Sequence, residues 1–182
     1  MKQSENFFSS KRENPCLIIA EIGGNHEGNF KRAKLLAQQA LDAGADYVKF
    51  QIYRAENIVN RKVDNKRYEH FKRFVLSKSE YERIFKLCNS FRKGSFMASL
   101  WDIELFEWYN KLVSIHKVGS GDLTNFPLIK LMVLSGKPII LSTGISNWSL
   151  IKKTLNFIYE QDLKYREKKK SCSSSMYICL SV

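Results

Sequence analysis

Two lysines stand where lysine is costly. Lys49 lies between Val48 and Phe50, and Lys117 sits between Ile115 and Val118; an ammonium carried on an apolar run needs an anionic partner to offset its lost hydration. Further polar residues close or follow short apolar runs: Glu21, Gln51, Ser99, Ser120 and Ser142. The hydroxyls of Ser99, Ser120 and Ser142, with the backbone amides of Gly119-Ser120-Gly121 and Ser142-Thr143-Gly144, suit a phosphate or carboxylate. Two lysines aimed at one mouth imply a dianion. An ionised Glu21 among these cations can act as a base or orient a reacting hydroxyl. The plainer alternative is an ion pair with Lys49, and spacing alone leaves both open. Any one such residue is readily explained as a strand end meeting solvent; five successive strands ending in polar chemistry are not.

Other groups point away from chemistry. Gly23-Gly24-Asn25-His26-Glu27-Gly28 lacks the spacing of either nucleotide-binding glycine loop, so it is assigned no nucleotide. His26 and His116 have no second ligand at helical spacing and read as hydrogen-bonded structural residues, while His70 lies in a polar loop. Cys16, Cys88, Cys172 and Cys179 form no CxxC pair, which favours reduced, structural thiols.

The elements that must position these residues follow from periodicity. Short apolar runs alternate with amphipathic segments, the signature of a βα repeat with a parallel sheet. Strands are expected at residues 16–22, 46–51, 95–99, 114–118 and 138–142. Helices are expected at about 30–43, capped by Asn29 and closed by Gly44, and near 79–92, introduced by Ser77 with Glu80 three residues on. Further helices are expected at about 103–112, 128–134 and 150–159. The stretch between the second strand and its helix reads as a long polar connection. In such architectures function gathers at the C-terminal ends of the strands, which is where the polar residues fall.

Composition sets the bounds. The chain has 182 residues, with 30 Lys+Arg against 18 Asp+Glu and a net charge of +12, so an anionic partner is expected and charge alone does not choose it. No apolar run approaches the roughly 18–20 residues of a membrane span, and the polar start lacks a secretory signal's apolar core; a cytoplasmic protein with no membrane role is expected. The pattern breaks after about residue 160, where Lys164 to Lys170 is a charge run, Ser171-Cys172-Ser173-Ser174-Ser175 is low-complexity, and residues 176–182 suit a sixth strand. The expected organisation is thus a polar segment at 1–14, an incomplete TIM-type (β/α) barrel at 15–160 and a Lys/Ser-rich tail at 161–182. A complete barrel of about 250 residues needs two more strands. An open set of strands leaves unpaired edges, and a frameshift or premature stop near residue 160 is one explanation.

Four blocks are specific. Residues 19–28 (Ile19-Ala20-Glu21-Ile22-Gly23-Gly24-Asn25-His26-Glu27-Gly28), 44–51 (Gly44-Ala45-Asp46-Tyr47-Val48-Lys49-Phe50-Gln51), 117–122 (Lys117-Val118-Gly119-Ser120-Gly121-Asp122) and 136–144 (Gly136-Lys137-Pro138-Ile139-Ile140-Leu141-Ser142-Thr143-Gly144) resemble, in order and spacing, the N-acetylneuraminate (sialic acid) synthase family. That resemblance implies condensation of phosphoenolpyruvate with N-acetylmannosamine or a related amino sugar, giving a nine-carbon 2-keto acid and phosphate. It implies that Lys49, Ser99, Lys117, Ser120 and Ser142 hold phosphoenolpyruvate, that Gln51 faces the sugar, as Asn65 does on a looser alignment, and that Glu21 is the catalytic carboxylate. It also implies a homodimer and a divalent cation, manganese or magnesium, whose histidine ligands belong to later strands absent from this chain. Ala98-Ser99-Leu100-Trp101-Asp102 departs from the family's Thr-Pro-Phe pattern: a hydroxyl is kept, but the loop shape is not specified. Two competing readings are a basic polyanion or nucleic-acid binder and another phosphoenolpyruvate- or phosphosugar-binding barrel. Dispersed basic residues and the lack of an RNA-binding aromatic motif weigh against the first, the four blocks against the second.

Overall fold

The computed structural model describes residues 17–91 and 95–165 in full and the backbone of 178–181. The N-terminal polar segment, the charge run beyond Tyr165, the serine stretch, Cys16, Cys172 and the side chain of Cys179 lie outside the described residues. Two compact units divide the chain, Leu17–Val113 and the part from Ser114 onward.

In the first unit, strands β1 (Ile19–Gly23), β2 (Tyr47–Ile52) and β3 (Ser95–Leu100) pair in parallel and in sequence order. Parallel neighbours need crossovers, and helices supply them. The first is α1 (Phe30–Asp42), with Ala33, Ala37 and Leu41 buried at every fourth position. The Asn29 side chain accepts the Arg32 N–H at its start, and Gly44, at φ +94°, donates to the Leu41 carbonyl just past its end. That positive φ is the left-handed geometry that glycine adopts without strain.

The second crossover is richer than the polar connection expected for it. It contains α2 (Ala55–Ile58) and α3 (Asn65–Arg73) before α4 (Lys78–Ser90). α3 buries none of its residues, so it lacks the apolar stripe by which a helix is recognised in sequence. The Ser77–Glu80 capping box at the start of α4 forms as expected. After β3, the expected helix opens as a 3-10 turn at Ile103–Leu105 and continues as α5 (Phe106–Leu112).

Alternation along β2 sorts its side chains. Phe50 is fully buried among rings, stacked on Phe96 with centroids 5.8 Å apart and meeting Tyr81 edge-on at 6.3 Å. Lys49 and Gln51 therefore fall on the other face of the sheet. The register Glu21↔Lys49, Lys49↔Met97 and Gln51↔Ser99 places Glu21 and Ser99 on that face too. Two helix tyrosines tie down the strands from the ring side: Tyr81 donates its hydroxyl to the Gln51 carbonyl at 2.7 Å and Tyr109 to the Ala98 carbonyl at 3.0 Å. Cys88 is a buried free thiol whose pKa burial raises to about 12, consistent with a packing role.

In the second unit, β4 (His116–Val118), β5 (Ile139–Ser142) and β6 (Ile178–Ser181) are parallel, β5 pairing with both. β4 is shorter than its expected span of 114–118. α6 (Phe126–Leu134) begins earlier than expected because Asn125 caps it and Pro127 occupies its first turn. α7 (Trp148–Gln161) is capped by Asn147. Thr154 donates to the carbonyls of Leu123 and Leu150, and Tyr165 donates to the Lys137 carbonyl at 2.6 Å.

His116 is fully buried, with Nε2 2.8 Å from the Ser135 hydroxyl. Ser135 donates its own proton to the Met132 carbonyl, so Nε2 carries the imidazole proton. Burial, reinforced by the Lys137 charge, lowers the His116 pKa to about 3. The unfolded chain takes up a proton near pH 6.5 that the folded chain refuses, so this stability is complete above pH 6.5 and is lost as pH falls toward 3. Between pH 7.5 and 5, His116 alone is expected to cost about 2 kcal/mol of folding free energy, read as a falling urea midpoint. A flat midpoint over that range contradicts a neutral buried imidazole.

Candidate active site

The seven candidate residues fall into two sets, one in each unit. In the first, Lys49 is only 7% exposed, and its Nζ lies 2.6 Å from Glu21 Oε2 and donates to Ser99 Oγ at 3.3 Å. The ion pair that the sequence left as the plainer alternative for Glu21 is thus formed. It is asymmetric: the Glu21 side chain is 52% exposed, so the carboxylate can leave for water while the ammonium cannot. Gln51, opposite Ser99 in register, borders the pair.

Backbone shape makes room for the carboxylate. β1 bulges between Glu21 and Gly23 against β2, and Gly23 takes φ +53°. A β-carbon on Gly23 would stand 3.2 Å from Glu21 Oε1 and 3.7 Å from Gln51 Nε2. The glycines that follow have a steric purpose as well. Gly24 faces the Phe74 ring, and a β-carbon on Gly28, at φ +74°, would come within 2.0 Å of the Arg73 carbonyl oxygen. The loop after β1 is thus pressed against the C-terminal end of α3. His26 holds it from inside, accepting the Gly28 N–H on Nδ1 at 3.1 Å; burial lowers the His26 pKa despite the raising influence of Gly23 and Glu80.

In the second set, Lys117 is 9% exposed and its Nζ donates to Ser142 Oγ and to the Val118 carbonyl. Ser120, half-buried, opens the 3-10 turn Ser120–Asp122 that follows β4. The two sets repeat one design. Lys49 is in register with Met97 and bonds the serine two residues further along β3; Lys117 is in register with Ile140 and bonds the serine two residues further along β5. That offset keeps both partners on one face and sets each hydroxyl nearer the C-terminal end of its strand than the lysine's own level.

Residues missed by the sequence reading lie just past the strand ends. Arg54 and Asp102 each stand two residues beyond a strand, β2 and β3 respectively, and they pair: Nε to Oδ2 at 2.5 Å and Nη2 to Oδ1 at 3.2 Å. Arg54 also reaches Glu104. The shared position of two opposite charges after neighbouring strands was the available signal. Asn65, by contrast, opens α3 and accepts from Arg61 Nε on an exposed surface.

A divalent cation needs a group of carboxylate, imidazole or thiolate donors converging on one point. Among the described residues no three His, Cys, Asp or Glu side chains are grouped to hold a metal. His26 and His116 spend ring nitrogens on Gly28 and Ser135. These described residues do not fit a resident metal. Among the described residues no helix is long and apolar enough to cross a membrane.

An N,N'-diacetyllegionaminic acid synthase of Campylobacter jejuni is 34% identical over 165 residues, an alignment covering 81% of this chain and 48% of that protein. The human N-acetylneuraminate-9-phosphate synthase is 32% identical, covering 80% and 44%. The chain spans about half the length of these relatives. The crystal structure of an N-acetylneuraminic acid synthetase from Leptospira borgpetersenii, in complex with citrate, superposes with a TM-score of 0.76 at 25% identity, over 93% of this chain and 55% of that one. The succession of parallel βα units is accordingly that of an incomplete TIM-type (β/α) barrel, as expected. The profile of the NeuB family matches residues 36–181, and the chain belongs to that family.

Proposed function

We propose that this chain is the phosphoenolpyruvate-binding part of a sialic-acid-type synthase, which condenses phosphoenolpyruvate with N-acetylmannosamine or a related amino sugar to a nine-carbon 2-keto acid and inorganic phosphate. The observation that carries the reading is the repeated pair, in which a buried lysine shares a sheet face with a serine hydroxyl on the next strand. Each pair offers one full charge and one adjustable donor, which suits an oxyanion better than a neutral sugar. The Leptospira relative was crystallised with citrate, a polyanion of comparable size.

Phosphoenolpyruvate carries about three negative charges, which must be neutralised without quenching its reactive centre. In this reading Lys49, Ser99, Lys117, Ser120 and Ser142 take the phosphate and carboxylate, and Gln51 faces the sugar. C3 attacks the sugar aldehyde carbon, forming a carbon–carbon bond while the C=O π pair moves to the aldehyde oxygen, which takes a proton and becomes a hydroxyl, as positive charge develops at C2. Glu21 stabilises that charge or takes a proton from the water that adds there. Phosphate leaves with its bridging oxygen, and the 2-keto group remains. The setting under this reading is the cytoplasm, and the working unit is a homodimer, as the family resemblance implies.

The test is calorimetric titration with phosphoenolpyruvate, followed by phosphate release with N-acetylated hexosamines and manganese. Both are run on this chain and on a fusion supplying the part of its relatives that it does not span. Saturable binding by both forms and turnover by the fusion are expected. Failure of both forms to bind phosphoenolpyruvate refutes the assignment. Oligonucleotide binding lost steeply with salt, in place of that saturable binding, moves the protein to the polyanion class.

A further inference from the structure

The side-chain cluster just beyond the ends of β2 and β3 is not used by the proposed reaction, yet it is densely bonded. The Asp102 carboxylate is completely buried. It takes Arg54 through two nitrogens, the Glu104 N–H at 3.1 Å and the Asn57 side chain. A buried carboxylate with every partner supplied is a rigid node, because loss of any one leaves a desolvated charge. Its partners come from two loops: Arg54 and Asn57 follow β2, whereas Asp102 and Glu104 follow β3. The same loops are joined by the Trp101 N–H on the Ile52 carbonyl at 3.0 Å and by the Tyr53 and Trp101 rings, stacked with centroids 5.2 Å apart.

From this geometry we propose that Arg54 and Asp102 are positioning residues, a clasp that locks the rims of β2 and β3 and so fixes the distance between the Lys49 ammonium and the Ser99 hydroxyl. Gln51 and Ser99, opposite one another in register, stand three residues before Arg54 and Asp102 respectively. Any shear between the strands at the clasp therefore reaches that pair directly. The clasp also accounts for a loop without proline after Ser99: charge and ring stacking hold the Leu100-Trp101-Asp102 corner in place. Arginine is needed rather than lysine, since only a planar fork meets both carboxylate oxygens at once.

The proposal rests on the phosphoenolpyruvate reading for its ligand but not for its geometry, and the experiment separates the two. Arg54→Lys and Asp102→Asn are each expected to weaken phosphoenolpyruvate binding about tenfold, the low end of supporting-residue effects. Glu104→Gln, which removes only the exposed arm, leaves it unchanged. The deciding comparison is with Ser99→Ala: once that hydroxyl is gone its placement has no value, so Arg54→Lys added to Ser99→Ala costs nothing further. Added to Ser142→Ala, it costs its full factor. Equal losses on both backgrounds overturn the positioning role and leave general destabilisation. In the ligand-free chain, the Lys49 ammonium resonance of selectively labelled protein shifts in Arg54→Lys and Asp102→Asn but not in Glu104→Gln. If the parent chain binds no phosphoenolpyruvate, the functional reading fails while this resonance still decides the clasp, and an unmoved signal refutes it.

Discussion

If the proposed function holds, Lys49→Met is expected to weaken phosphoenolpyruvate binding at least about 100-fold with the fold intact, because the substitution removes an ammonium and almost nothing else. The lysine stem already lies in a buried strand, and methionine fills the same unbranched space. Glu21, left without its partner, is half in water and needs no other counter-charge. What disappears is a charge-assisted contact to a polyanion, worth about 1.5–3 kcal/mol for each hydrogen bond to a charged group. Two such bonds suffice for the stated factor. Lys86→Met, on the exposed face of α4, serves as the control and leaves affinity unchanged. Calorimetric affinities within threefold of the parent for Lys49→Met would falsify the role of this lysine, whatever the fate of Lys117.

Gly28→Ala is expected to be the most destabilising single methyl in the first unit. Two costs combine at this position. The backbone takes φ +74°, where an L side chain costs about 1–2 kcal/mol. The added carbon would also meet the Arg73 carbonyl at 2.0 Å, and a backbone oxygen cannot rotate aside as a side chain can. Overpacking of this kind costs typically about 1–3 kcal/mol, giving a total of about 2–5 kcal/mol in urea unfolding. Gly44 makes the informative contrast. Its φ of +94° carries the conformational cost, but a β-carbon there meets nothing within 4 Å, so Gly44→Ala should fall at the low end. Equal losses at the two glycines would show that crowding against α3 contributes nothing.

Much of this was legible in the sequence for identifiable reasons. The Asn29 cap, the Ser77–Glu80 box and the left-handed turn at Gly44 are local devices whose partners lie within a few residues. Lys49 and Lys117 were conspicuous because cations on apolar runs are rare. α3 was missed because its aromatics are spent on its own cations and on the loop below rather than on a buried stripe. Arg73 lies over Phe74 and Arg67 over Phe71, and Phe74 faces Gly24. Arg54 and Asp102 escaped notice because 48 residues separate them and only strand register brings them together. The Gly23–Gly28 loop matches neither nucleotide-binding spacing, and its glycines answer instead to crowding by Glu21, Phe74 and the Arg73 carbonyl that no motif encodes.

The contact between Glu21 and Lys49 has a bearing on how this protein should be assayed. Under the proposed function, an arriving acid does not land on a vacant cation; it must evict a tenant already in residence. Measured affinity is then the difference between two tenancies and understates the strength of the seat itself. Removing the tenant, as in Glu21→Gln, should let the protein retain small acids that the parent releases, which offers a direct route to trapping a complex.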